Sequence, residues 1–438
     1  MTASRSDHPS GPAAAQPDTG PGLRRQLELW QVSLSGIAVI LGAGVYSLIG
    51  AGAGLAGSAL WLAFLLAGAT AALTAYSYAR LGTMRPRDSP EFQYTALAFG
   101  SRVGFIAGWL MLAADLLGVA TVALGFGGYL RHLAGTPVTA NAVALLVALG
   151  LLALAGIGET VGLALVLALV EVAGLCFVIA VGAPAWSRAT FLEMPHGFAG
   201  LSAAAAIIFF AYLGFDELGN FAEEMRRPDR DLPRALGLSL AGATLIYLLV
   251  ALSATAAVGW PALSASTAPL ALVARVTVGP RAEAALGLVA LAATANTVLL
   301  LLLSGSRSVY GMAAAGVLPG RLGAIGRRGT PVTATVLVTA VAAIAALLGD
   351  LARAAALTDA AVLMSFALVN LSLSRLAARR RTSGGRARRI ADIALPVLAL
   401  ALCAWLLLHT GWAGLAAAGG LAALGLLLGP RDDRPPIR

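Results

Sequence analysis

The stretch Ile207–Glu224, IIFFAYLGFDELGNFAEE, decides how the chain is read. It opens as an apolar helix of membrane-spanning character, places Gly214 in mid-span and follows it with Asp216 and Glu217. A carboxylate at membrane depth costs roughly 2.5–3.5 kcal/mol on insertion scales, so it faces protein or a water-filled cavity. Broken helical backbone at that depth is tolerated only where it is buried or lines such a cavity. Together these features predict a discontinuous helix at a binding site, interrupted at Ala211–Gly214.

The surrounding composition sets the class. The 438 residues are 59% hydrophobic and 12% charged, too little polar surface for a soluble protein of this length, which predicts an all-α integral membrane protein. The net charge is +9, and all 30 basic residues are arginine. They gather in short segments between apolar runs, which marks topology and not a nucleic-acid face. Twelve spans are predicted, near 32–52, 57–81, 103–130, 138–157, 160–182, 200–222, 235–258, 284–315, 332–348, 354–377, 391–409 and 411–429. With the N-terminus inside, only Arg131, Arg188, Arg275, Arg281 and Arg353 fall in outer segments, and the other 25 arginines are cytoplasmic. This split predicts cytoplasmic N- and C-termini in a cell (inner or plasma) membrane. Residues 1–22 and 430–438 read as a disordered N-terminal tail and a cytoplasmic tail, with no cleavable signal peptide. Cys176 and Cys403 each lie in an apolar span, so no disulfide is expected.

A second interruption stands in the first span, where Ile40-Leu-Gly-Ala-Gly-Val-Tyr46 sets Gly42 and Gly44 two residues apart. Small residues also mark faces where membrane helices pack, so that reading stands beside a break. Position favours the break. Spans 1 and 6 open two sets of five helices, 23–182 and 200–377, and matched interruptions in two halves point to a transporter site built on inverted repeats.

These residues carry a resemblance. Leu41-Gly-Ala-Gly-Val-Tyr, Gly108-Trp with Gly118-Val-Ala-Thr-Val-Ala, Phe209-Phe-Ala-Tyr-Leu-Gly-Phe-Asp, Ala222-Glu-Glu-Met-Arg-Arg-Pro-Asp-Arg-Asp-Leu-Pro, Ser306-Arg-Ser-Val-Tyr-Gly-Met-Ala and Gly329-Thr-Pro-Val follow one another in order. As a set they resemble the amino acid–polyamine–organocation transporters, of the LeuT-type fold. The similarity runs from about residue 23 to 340; the helices over 391–429 match only as apolar spans. The resemblance implies a 5+5 inverted repeat with two additional C-terminal helices, no cofactor, and an amino acid held between the broken helices.

The chemistry of the breaks agrees with that expectation. Amides freed at Gly42, Ala43, Gly44 and Val45, at the positive end of a helix, suit a carboxylate. Carbonyls freed over Ala211–Gly214 suit an ammonium, so one zwitterion satisfies both. Phe210 matches the aromatic that closes over substrate in relatives, or packs against lipid or core. Tyr212 and Phe215 either line the pocket or pack.

Three intramembrane acids, with Phe210, bear on coupling and gating, and others mark the inner loops. Asp216 falls where some relatives carry a coupling carboxylate, and it is equally placed to cap the second half-helix. Glu171 stands where many sodium-independent relatives have a lysine. An apolar surround favours the uncharged carboxyl, which makes it a proton carrier or a packed, hydrogen-bonded glutamate. Asp115 is a third intramembrane acid, one residue past the family's usual polar position. Glu91, in Asp88-Ser-Pro-Glu-Phe-Gln-Tyr, charges and stiffens an inner loop that relatives leave flexible. Glu223 and Glu224 read as an interfacial network with Arg226 and Arg227.

No nucleotide loop, metal cluster or triad appears in the sequence, so an enzyme is not expected. A channel would build its filter from repeated subunits or charged rings. The expectation is a secondary active permease for amino acids, sodium-independent and proton-coupled or exchanging, working as a monomer or homodimer in the lipid bilayer. A polyamine or amine permease and a sodium-coupled symporter are the alternatives.

Overall fold

Apolar runs of this length can satisfy their backbone in hydrocarbon only by closing it into helices. In the computed structural model the described residues are 28–83, 90–155, 160–216, 218, 225–314, 318–326, 330–347, 349–379 and 386–429, and helices joined by turns make up nearly all of them. The readings that fell on 1–22, Asp88, Glu217, Glu223, Glu224 and 430–438 lie outside these residues.

The first predicted span is two helices, α1 (Leu29–Ile40) and α2 (Gly44–Ala56). Gly57, at φ +67°, turns the chain into α3 (Leu60–Gly82). That left-handed conformation suits glycine, and a Cβ there would meet Glu193 O at 2.5 Å. Next come α4 (Pro90–Phe99), α5 (Ser101–Ala134), α6 (Val138–Ala155) and α7 (Thr160–Gly182). The second half brings α8 (Gly197–Ile208), α9 (Pro228–Val258), α10 (Trp260–Ala265), α11 (Pro269–Thr277) and α12 (Pro280–Ala314). It closes with α13 (Val332–Ala346), α14 (Leu351–Arg379), α15 (Arg386–Leu408) and α16 (Gly411–Leu428).

Among the described residues, 8 helical segments are long and apolar enough to cross a membrane. Leu29–Ile40, Val138–Leu154, Gly197–Tyr212 and Val332–Ala346 are apolar but shorter. Two of these, α1 and α8, are short because they stop at an interruption. The chain is thus a helical, multi-pass membrane protein.

Three short helices were not expected. The inner segment before α5, read as a stiffened loop, is α4, and two more helices, α10 and α11, stand between α9 and α12. Each has a proline in its first turn: Pro90, Pro261 and Pro269. Proline breaks a helix interior, yet at the first positions its missing N–H costs nothing and its fixed φ suits a helix start. Glu91 is not a surface charge either. It is 6% exposed and accepts the Tyr78 hydroxyl at 2.6 Å.

Polar ties fix α3 against the C-terminal helices. Asp392 on α15 accepts Arg80 Nε and Nη2 at 2.7 Å each, and the Tyr76 hydroxyl at 2.7 Å. Deeper in, Asn370 on α14 accepts from Ser77 at 2.6 Å and donates to Thr74 at 3.1 Å. An apolar medium gives such groups no water to fall back on, so losing one partner strands the other. The Asp392→Ala variant therefore loses on the order of 1–3 kcal/mol of stability, the cost of stranding the part-buried Arg80 and the Tyr76 hydroxyl. Thermal unfolding in detergent reads this directly, and an unchanged midpoint would show that the pair holds nothing.

Candidate functional site

Both interruptions form, and they touch. α1 ends at Ile40 and α2 starts at Gly44, with Leu41, Gly42 and Ala43 turning between them. α8 ends at Ile208 and passes through a 3-10 turn over Phe209–Tyr212. The chain then extends at Leu213 (φ −61°, ψ 150°) and enters the left-handed region at Gly214 (φ +105°). A Cβ on Gly44 would lie 2.6 Å from Ala211 Cα, so the two backbones meet where no side chain fits between them. At Gly214 a Cβ would come within 2.8 Å of Val39 Cγ1. Gly42 is different, because its Cβ would stand 3.4 Å from Thr297 Oγ1, at the near edge of ordinary contact. Gly44 and Gly214 are therefore required by close approach, and Gly42 is not.

The broken backbone is partly satisfied by side chains from other helices. Tyr247 on α9 places its hydroxyl against the Ile40 and Ala211 carbonyls, the latter at 2.8 Å. One hydroxyl carries one hydrogen, so these two acceptors share a single donor. On the other side, Ala43 N–H donates to Thr297 Oγ1 on α12 at 3.3 Å. The first internal bond of α2 runs from Ser47 N–H to Ala43 O at 3.0 Å. The amides of Gly44, Val45 and Tyr46 thus stand at the helix start, where no acceptor exists within the helix. Amide donors and undersupplied carbonyls converge on one place.

Of the aromatic residues, Tyr212 packs edge-on against Tyr247, with centroids 5.2 Å apart, and donates to Phe64 O on α3 at 2.8 Å. Phe215 packs against Tyr78 and Phe366, while Phe210 lies 3.5 Å from the Cβ position of Gly118 on α5. Tyr212 and Phe215 are fully buried; Phe210 keeps 7% exposure.

The acids take separate places. Glu171 on α7 is buried, and its backbone carbonyl accepts the Tyr46 hydroxyl at 2.8 Å. Its carboxyl sits near both Tyr46 and Tyr247, and Oε1 has no hydrogen-bond partner. Asp216 Oδ1 accepts Gly214 N–H at 3.0 Å, tying the turn that follows the second break. Asp115 is half-buried on α5, one helical turn before Gly118. Arg226 pairs with Glu28, at 2.9 Å, near the start of α1. Sequence reasoning missed Tyr247, Thr297 and Asp359, the last fully buried on α14 with both carboxyl oxygens unpartnered. The rule that drew attention to Glu171, an acid inside an apolar span, applies equally to Asp359. For Tyr247 and Thr297 no comparable signal exists, since isolated hydroxyls are common in membrane helices.

A multi-pass helical protein with two adjoining helix breaks has the makings of a substrate carrier, and comparison with known proteins gives the family. Residues 27–420 match the amino acid permease family, and the chain belongs to it. It is 28% identical over 415 residues to the branched-chain amino acid permease BcaP of Bacillus subtilis, covering 89% of each chain. An uncharacterized transporter of Mycobacterium tuberculosis is 31% identical over 411 residues, covering 92% of this chain and 91% of the relative. The mitochondrial cationic amino acid transporter 3 of Arabidopsis thaliana is 29% identical over 366 residues, which is 77% of this chain and 60% of that protein.

The glycine geometry separates two substitutions that sequence treats alike. Gly44→Ala forces the two breaks apart and abolishes substrate uptake into vesicles. Gly42→Ala asks only a few tenths of an ångström from the Thr297 side chain and keeps uptake within about threefold, since only overpacking that forces backbone shifts costs more. Equal uptake by the two variants would remove the contact between the breaks from the site.

Proposed function

We propose that this chain is a secondary active transporter that moves amino acids across the cell membrane by alternating access. In this reading it crosses the bilayer twelve times, with cytoplasmic termini. Two five-helix inverted repeats, 23–182 and 200–377, form a LeuT-type core, and two further helices follow over 391–429. The observation that carries the proposal is the contact of the two breaks, Gly44 against Ala211. It brings helix-start amides suited to a carboxylate beside two carbonyls that share one tyrosine hydroxyl and suit an ammonium. The substrate is read as a zwitterion bound at Gly42, Ala43, Gly44 and Val45 on one side and Ala211 to Gly214 on the other. Phe210 acts as the movable lid.

Transport is read as sodium-independent and either proton-coupled or exchanging. Glu171 is the leading coupling residue, because its carboxyl stands beside Tyr46 and Tyr247 with one oxygen unpartnered. Its backbone and Tyr247 link it to both breaks. Asp216 is the second candidate; its bond to Gly214 N–H supports the capping role as well.

Two variants test this reading in proteoliposomes. Glu171→Gln, which fixes the neutral form, loses accumulation driven by an imposed pH gradient yet retains exchange of labelled amino acid. Accumulation driven only by a sodium gradient at equal pH would overturn the proton reading and make Glu171 a cation ligand. Phe210→Ala slows exchange by roughly tenfold or more while equilibrium binding changes less, as expected for a gate that acts on a conformational step. An unaltered exchange rate rules out the lid.

A further inference from the structure

Asp359 is not used by any step above, and its surroundings ask for a partner. The residue is fully buried, and neither carboxyl oxygen has a hydrogen-bond partner. The Phe210 backbone amide approaches the carboxyl without reaching hydrogen-bonding geometry. Among the described residues no arginine or histidine forms an ion pair with it. Buried charges are otherwise paired or hydrogen-bonded, because an isolated ion in a low-dielectric interior is strongly disfavoured.

The carboxyl stands beside the Phe210 backbone, and the ring of that residue fills a seam next to Thr358. Thr358, its chain neighbour, places Oγ1 3.3 Å from Thr121 Oγ1 on α5. Thr358 Cγ2 lies 3.7 Å, and Phe210 Cε2 3.5 Å, from the Cβ position of Gly118. The ring is therefore seated where α5 and α14 meet, between a glycine that leaves the wall thin and two hydroxyls. It is one residue before Ala211, where the breaks touch. Withdrawal of the ring would open a space leading from the breaks to Asp359.

We propose that Asp359 receives a cationic group at the far end of the substrate, an ammonium or guanidinium, and that the substrate is accordingly a cationic amino acid. This rests on the amino acid reading given above. A proton is the competing way to neutralise the group while the site is empty, and it supplies neither oxygen with a donor. A guanidinium satisfies both oxygens at once through paired N–H donors, and an ammonium offers three. Thr358 and Thr121 would serve as further acceptors in the opened seam.

The test is counterflow of labelled L-arginine and labelled L-leucine in proteoliposomes, for the wild type, Asp359→Asn and Asp359→Glu. The wild type exchanges L-arginine in preference to L-leucine. In Asp359→Asn, arginine exchange falls roughly 10- to 100-fold, the loss expected for a hydrogen bond to a charged group, while leucine exchange stays within about twofold. Asp359→Glu recovers part of the arginine signal. Thermal stabilisation of the purified protein by L-arginine disappears in Asp359→Asn. A wild type with no cationic preference, or an Asp359→Asn variant that keeps it, overturns the proposal. So does a variant that keeps arginine exchange but loses accumulation driven by a pH gradient, since Asp359 is then a coupling group.

Cadaverine separates this proposal from the one it rests on. If the wild type exchanges cadaverine but neither amino acid, and Asp359→Asn abolishes that exchange, the amino acid reading fails and the cation subsite stands. Exchange of none of the cations overturns the subsite. Should Asp359→Asn not fold, Gly118→Val decides, because its branched side chain fills the seam from the opposite wall. Loss of arginine exchange with L-alanine exchange retained supports the subsite, and equal loss of both overturns it.

Discussion

The arrangement depends on one backbone approach, Gly44 against Ala211, where the room for even a single methyl group is absent. Two helices in a bilayer gain little from burying apolar side chains against each other, since lipid is as apolar as they are. What they gain is close packing and satisfied polar groups. Interrupting both helices at one level exposes polar backbone, which hydrocarbon does not forgive. Setting the interruptions against each other confines that exposed backbone to one enclosed place. The glycine at position 44 is the condition for this, and the rest of the site follows from it.

Side chains from other helices then complete the broken backbone, but only in part. Tyr247 from α9 serves two carbonyls with one hydrogen, and Thr297 from α12 accepts one amide. Asp216 closes the turn on the far side of the second break through Gly214 N–H. Tyr247 and Thr297 come from two different helices, so the geometry of the breaks depends on how α9 and α12 pack against them. A fully supplied set of donors would make a stable knot with no reason to bind anything. Here the supply falls short at the carbonyls of Ile40 and Ala211 and at the first amides of α2, and the proposed binding of a zwitterion rests on that shortfall.

The positions of both breaks were legible in the sequence because their signals are local: glycine pairs in an apolar run, and an acid following within two residues of Gly214. The partners were not legible. Tyr247 lies 36 residues from Ala211 and 207 from Ile40 in the chain, and Thr297 lies 254 from Ala43. Nothing near Tyr247 distinguishes it from any other tyrosine in a membrane helix. The distinction between Gly42 and Gly44 was equally hidden, since it depends on which face of the turn meets α8. Tyr212 could have faced either way from its sequence, and its partner Phe64 O sits on a helix 148 residues earlier. The short helices α4, α10 and α11 were missed because proline was weighed as a breaker when it stood at a helix start. Asp359 is a separate case: it lies inside a predicted span and breaks the same compositional rule as Glu171.

The buried acids sort by what already satisfies them, and this sorting orders their roles. Asp392 is held by an arginine and a tyrosine and works as a tie between α3 and α15. Glu91 accepts the Tyr78 hydroxyl, and Asp216 accepts a backbone amide, so each fixes local geometry. Glu171 has one oxygen without a partner, and Asp359 has two. A folded interior does not retain such groups for stability, because an apolar residue of similar size would serve better. Their neighbours differ: Glu171 lies near Tyr46 and Tyr247, and Asp359 near the backbone of Phe210. The roles proposed for these two acids rest on those unpartnered oxygens, one at Glu171 and two at Asp359, because a group that costs stability in the empty site needs a reason beyond folding.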